Sequence, residues 1–196
     1  MGANEALLII DYTNDFVATN GALTTGKVGQ AIEPALIKAA NRELREGGWV
    51  MLPTDLHVEK DPYHPETKLF DAHNLEGSWG RELYGQLKDW YELNQDNPRV
   101  RQFAKTRYSS FAGTDLDIRL RERHVDTLRL AGVCTDICVL HTAVDAYDLG
   151  YQLIIDPTTV ATFTEHGQEW ALSHFKNALG ATIESVSYTH LRAHET

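Results

Sequence analysis

The stretch "DTLRLAGVCTDICVLHTAVDAYDLGYQLIIDP", Asp126–Pro157, decides the fold. "DTLRLAGV" (Asp126–Val133) reads as a strand. "TDICVLHTAVDAYDLG" has helical periodicity and stops at Gly150. "YQLIIDP" is a second strand. Strand, helix and strand in this succession form a crossover unit. The same stretch holds both cysteines of the chain, Cys134 and Cys138, four residues apart. They could form a disulfide, ligate a metal, pack in the core or do chemistry.

Outward from this unit the alternation repeats. "ALLIID" (Ala6–Asp11) is a continuous apolar run, as expected of a strand buried on both faces. "AIEPALIKAANRELREGG" is helical and stops at Gly47 and Gly48. "WVMLPTD" (Trp49–Asp55) is a strand, and a helix is expected around Arg81–Tyr91. "RVRQFAK" (Arg99–Lys105) is a strand, "TDLDIRLRERH" (Thr114–His124) a helix capped by Thr114 or Asp115, "EHGQEWALSHFKNALG" a helix and "ATIES" a last strand. The expected fold is α/β: a three-layer α/β/α arrangement with a parallel, doubly wound, Rossmann-like sheet. Between Leu56 and about Ser78 lies a long polar segment rich in His and Pro, of the kind that in a compact domain is functional or disordered.

The chain of 196 residues fits one domain, expected over 1–185. The net charge of −10 is spread along the chain, which argues against a nucleic-acid partner. No run of eighteen apolar residues exists, so no membrane span is expected. The start runs into "ALLIID" without a basic region or cleavage site, and a cytoplasmic protein is expected. In a reducing compartment both cysteines are free thiols. The ending "VSYTHLRAHET" (Val186–Thr196) resembles read-through of a sequencing-library adapter. It is expected to be a non-native tail, so His190 and His194 are set aside.

In open parallel sheets, ligands bind at the carboxyl ends of the strands. The polar groups expected there are Asp11, Asp55 with His57, Lys105, and the turn after Val133. Cys138 falls in the first turn of a helix, where unpaired N–H groups favour an anion and a lowered thiol pKa is expected. Asp11 could take its proton, and Lys105 could hold Asp11. A nucleophile, a base and an orienting group form the general arrangement for covalent catalysis. The bland alternatives are a packed cysteine, a turn-capping aspartate and a surface lysine. A disulfide between helical i and i+4 positions has poor geometry, and a two-Cys metal site lacks a second pair.

Asp55 and His57 are two apart at a strand end and point the same way. An Asp and a His suit zinc or another borderline divalent ion, and the following loop offers His64, Glu66 and His73 to complete the sphere. The alternative is a solvated polar loop.

Together, "LLIIDYTNDFVA", "TDLHVEKDPYHPETKLFDAHNLEGSWG", "AKTRYSSFAGTDLDIRLRER" and "GVCTDICVLHTAVDAYDLGY" resemble the nicotinamidase branch of the isochorismatase-like cysteine hydrolases, most of all its Gram-positive members. The resemblance runs from about Ala6 to Glu184. It implies a catalytic triad of Asp11, Lys105 and Cys138, which match in chain order. It implies one divalent metal ion, zinc before iron or manganese, on Asp55, His57 and His73, with Glu66 preferred to His64 as the fourth ligand. It also implies a cis peptide at Val133–Cys134, with the backbone N–H groups of Cys134 and Cys138 facing an oxyanion. Phe16, Phe70 and Tyr108 match places where the family packs rings around the substrate. The implied reaction is hydrolysis of nicotinamide to nicotinate and ammonia through a thioester, as in NAD recycling, with pyrazinamide as a side substrate. Family members are often homo-oligomers, and one is expected here. The competing readings are an amidase for a ureido or carbamoyl compound and a non-catalytic nicotinamide-binding protein.

Overall fold

The computed structural model of the chain describes residues 4–184. The strands are β1 (Glu5–Ile10), β2 (Trp49–Asp55), β3 (Val100–Lys105), β4 (Thr127–Val133), β5 (Gln152–Ile155), β6 (Val160–Ala161) and β7 (Thr182–Ile183). Every strand pairing is parallel, in the order β3-β2-β1-β4-β5-β7. β4 serves two neighbours on one side. Its first residues pair with β5, and Gly132 and Val133 pair with β6. The order reverses at the β1/β4 pair, where β1 leads out to β2 and β3 while β4 leads the other way. In sheets of this kind the reversal leaves a crevice beyond the strand ends.

The helices are α1 (Asn14–Val17), α2 (Gly26–Ala31), α3 (Glu33–Arg45), α4 (Gly85–Asn94), α5 (Leu116–Glu122), α6 (Leu140–Asp148) and α7 (Glu165–Asn177). Alternate residues of the central strands feed two separate cores. Leu7, Ile9, Val50 and Leu52 pack against Leu36 and Ala40 of α3 and Leu87 and Trp90 of α4. Leu8, Ile10, Met51 and Leu130 pack against Leu116 and Leu120 of α5, Ala143 and Ala146 of α6, and Phe175 of α7. Burial on both faces is why these strands are continuous apolar runs rather than alternating ones. Each fully buried leucine contributes about 1.5–3 kcal/mol relative to exposure. The expected three-layer, doubly wound α/β fold is therefore the observed one.

Two expected helices take a different form, and α1, α2 and β6 were not expected from the sequence. The helix expected from Arg81 begins at Gly85, because the residues before it are drawn into a different set of bonds. Asn14 N–H donates to Glu82 O, Tyr84 N–H donates to Tyr12 O, and Leu83 bridges to Thr13. The helix expected over Thr135–Gly150 opens with one wide π turn, Thr135–Val139, before α6. The Leu56–Ser78 segment is ordered around a short 3₁₀ turn, Pro65–Lys68. No helix among the described residues is long and apolar enough to cross a membrane. The expected tail, residues 186–196, lies outside the described residues.

Candidate active site

Four strand ends deliver the polar groups. Asp11 follows β1 in the left-handed region, at φ 54°, a conformation that costs a non-glycine residue energy and is held here by its neighbours. Its N–H donates to Pro53 O at 3.0 Å, and its Oδ1 accepts from Asp55 N at 2.9 Å. The carboxylate is thus pinned between β1 and β2. Lys105 ends β3 and is 1 % exposed. Its Nζ lies 2.8 Å from Asp11 Oδ2, 3.4 Å from Asp55 Oδ1 and 3.7 Å from Cys138 Sγ, and donates to Arg107 O at 2.9 Å.

Cys138 is buried in the π turn after β4. β4 approaches β1 closely there because position 132 is glycine. Its φ is 104°, and a Cβ would collide with the Ile10 carbonyl. The Val133–Cys134 peptide is cis, as the resemblance implied. Asp11, Lys105 and Cys138 therefore meet at the point where strand order reverses.

The electrostatics assign resting protonation states. Burial raises the Asp11 carboxyl to about 6, with Lys105 pulling the other way. Burial also pushes the Cys138 thiol well above its usual value, outweighing the attraction of Lys105. This corrects the expectation of a lowered thiol pKa at a helix start. The thiol sits too deep, and too close to two carboxylates, for the helix end to decide its charge. The Lys105 ammonium pays for burial but is held well above its usual range, first by Asp11. The resting site is a neutral thiol, a carboxylate and an ammonium.

Beside this cluster, Asp55, His57, Glu66 and His73 are all buried and present one ligand atom each, all within 4.8 Å of one another. His57 Nε2 is 2.8 Å from Asp55 Oδ2 and 3.8 Å from Glu66 Oε2. His73 Nε2 is 3.6 Å from Asp55 Oδ2 and 3.5 Å from Glu66 Oε2, and has no hydrogen-bond partner. His73 Nδ1 faces Asp71 O at 2.8 Å, which leaves the Nε2 lone pair aimed inward. Burial alone would lower the His73 pKa, yet the two carboxylates raise it to about 10. Burial also opposes ionisation of Asp55, but Lys105 and the imidazoles hold it well below the usual carboxylate range. A buried pocket that draws a proton between two carboxylates fits a cation, and two imidazoles with two carboxylates suit a borderline divalent ion.

His64 does not join this group. Its Nδ1 accepts from Glu66 N at 3.2 Å, so its Nε2 carries the proton and donates to Thr106 O at 2.7 Å. Both ring nitrogens are committed, and the ring buttresses His57 at 4.4 Å between centroids.

Phe16, Phe70 and Tyr108 line one cavity together with Glu66, His73, Cys134 and Cys138. The cavity therefore connects the thiol to the metal-type cluster. Its wall also includes Leu23, Ile137 and Phe163, which sequence reasoning missed because isolated apolar residues carry no local signal. Also missed was Arg81, whose Nε donates to Asp55 O at 2.8 Å and fixes the end of β2.

Fold and site define the class: a parallel α/β protein with a thiol, a carboxylate and an ammonium at its switch point and a buried divalent-ion type cluster alongside. The isochorismatase domain profile matches residues 5–187, and the chain belongs to the isochorismatase family. A Bacillus subtilis relative, named an uncharacterized isochorismatase family protein, PncA, is 51 % identical over 91 % of this chain and 98 % of its own. A structure solved as nicotinamidase/pyrazinamidase PncA from Bacillus subtilis superposes with a TM-score of 0.91 at 50 % identity, covering 93 % of this chain and 100 % of that one. A pyrazinamidase of Pyrococcus horikoshii, solved in complex with zinc, superposes at 0.81 with 26 % identity, covering 93 % of this chain and 99 % of that one.

Proposed function

We propose that this protein is a metal-dependent nicotinamidase, hydrolysing nicotinamide to nicotinate and ammonia through a thioester on Cys138. The observation that carries the reading is the meeting of Asp11, Lys105 and Cys138 beside an aromatic-lined cavity that also reaches Glu66 and His73. The naming of relatives at about half identity as nicotinamidases supports the choice of substrate.

Asp11 takes the proton of the Cys138 thiol; the Lys105 ammonium lies 2.8 Å from the carboxylate and 3.7 Å from the sulfur and joins the two groups. Lys105 holds Asp11 in place and stabilises the thiolate as it forms. Sulfur attacks the carboxamide carbon, and the N–H groups of Cys134 and Cys138 receive the oxyanion. Asp11 hands its proton to the departing nitrogen, the C–N bond breaks and ammonia leaves. Water then adds to the thioester, its proton goes to Asp11, and the C–S bond breaks to release the acid and restore the thiol. Phe16, Phe70 and Tyr108 flank the flat ring. Asp55, His57, Glu66 and His73 would hold the divalent ion, zinc by preference, which when bound supplies a Lewis-acid anchor for a ring nitrogen or water.

The deciding assay is nicotinamide-dependent ammonia release with and without chelator. Turnover lost in chelator and regained with zinc is expected. No turnover of nicotinamide in a panel with pyrazinamide and ureido acids would overturn the reading. For the fourth ligand, Glu66→Ala is expected to lose most bound metal by elemental analysis, while His64→Ala keeps most of it. Equal losses would remove the distinction.

The pH profile carries a sign. Asp11 works as a base only when ionised, and its raised pKa of about 6 places the acid limb of kcat/KM well above that of an ordinary aspartate. Activity is expected to fall as pH drops through about 6. A limb near 4 would mean that burial does not raise the carboxyl of the titrating base.

A further inference from the structure

We infer that Asp15 is a positioning residue that sets His73 and Phe16 in register with one another, and so tunes metal affinity without touching metal or substrate. The inference rests on the metal reading above. Asp15 lies in α1, one residue before Phe16, and its carboxylate reaches across to the loop that carries His73. Oδ2 accepts from Asn74 N at 2.7 Å, and Oδ1 accepts from Ala22 N at 3.1 Å. Asn74 directly follows His73 and has φ 44°, a left-handed conformation that asparagine adopts more readily than most residues. The Asp15 carboxylate bonds the N–H of that residue. Thr13 Oγ1 donates to Asn74 Oδ1 at 2.8 Å, and Asn14 Nδ2 donates to Trp79 O at 2.9 Å, so three successive residues grip the same loop.

Room for the carboxylate exists because position 80 is glycine. A Cβ there would run into Asp15 Oδ1, Oδ2 and Cγ. Phe16 and His73 face one another at 5.4 Å between ring centroids. One carboxylate therefore fixes a wall of the substrate cavity relative to an inward-facing imidazole. Partners hydrogen-bonded directly to a ligating side chain change metal affinity or activity by about 10–100-fold when removed, and a carboxylate bonded to the next residue's N–H acts at the lower end of that range.

Two variants test this in the full-length protein. Asp15→Asn keeps shape and volume but replaces one acceptor with a donor that confronts an N–H. Gly80→Ala leaves Asp15 in place but displaces its carboxylate. Zinc affinity of the metal-free proteins is measured by competition with a chromophoric chelator, alongside their thermal unfolding and their KM for nicotinamide. The expected result is zinc Kd weakened about tenfold or more in both variants. Metal-free unfolding should lie within a few degrees of wild type, and excess zinc should restore kcat more fully than KM. Wild-type Kd in Asp15→Asn beside a zinc-binding wild type would overturn this assignment alone. So would a Gly80→Ala protein that is folded and binds zinc normally. A wild type that takes up no zinc would overturn the metal reading, and this assignment with it.

Discussion

Cys138→Ala is expected to lower kcat/KM for nicotinamide by at least about 10³-fold, the scale on which removal of a covalent nucleophile acts. The protein should remain folded, because the change removes one sulfur from a well-packed site and costs only about 1 kcal/mol. Cys134 is the matched control. It is as deeply buried and lines the same cavity, and burial raises its thiol as it raises that of Cys138, but it lies outside the Asp11–Lys105 cluster. Its proposed contribution is a backbone N–H, which alanine retains. Cys134→Ala should therefore keep activity within a few-fold of wild type. Ammonia release from both variants, with circular dichroism to check folding, makes the comparison. A fully active Cys138→Ala would remove the thioester from the mechanism. The Cys138→Ala protein should still bind zinc as wild type does, since its sulfur is not among the grouped ligand atoms.

The parts of this molecule that were legible in its sequence are those governed by short-range pattern. β1 and β4 are continuous apolar runs because both faces are covered, and Asp11 and the Cys134–Cys138 turn stand out as the polar residues where such runs stop. Asp55 and His57 were legible because an extended backbone aims i and i+2 alike. The fourth metal-type residue was not settled by spacing, since His64 and Glu66 are both within reach. Two hydrogen bonds at His64, one to residue 106, separate them. The state of the Cys138 thiol was misread for a similar reason. A helix start is visible in sequence, whereas the desolvation that dominates there comes from four strand ends meeting. Likewise the start of α4 was set by bonds from Tyr12 and Asn14, some seventy residues upstream, and local propensity around Arg81 contains nothing of them.

Lys105→Met is expected to abolish turnover and also to destabilise the protein, which separates it from Cys138→Ala. Lys105 is the cation between two buried carboxylates, 2.8 Å from Asp11 and 3.4 Å from Asp55. Removing one partner of a buried ion pair leaves uncompensated charge and costs about 3–5 kcal/mol. The cost should depend on pH with a definite sign. Without the ammonium, the folded-state pKa of Asp11, already raised by burial, rises further above its unfolded value. The folded variant then binds more protons than its unfolded chain, so its stability falls as pH rises between those two values. Its deficit against wild type should be smaller at pH 5 than at pH 8. Urea unfolding of metal-free wild type and variant at the two pH values measures this, with equal slopes confirming that the same surface is exposed. A deficit that grows on acidification would show that Lys105 does not neutralise these carboxylates. The same shift explains the loss of activity. At a given pH a larger share of the variant's Asp11 holds its proton, so less of it can accept one from the thiol. Raising the pH should recover only a small fraction of the rate, because the thiolate has also lost the charge 3.7 Å away that makes it affordable in a buried site.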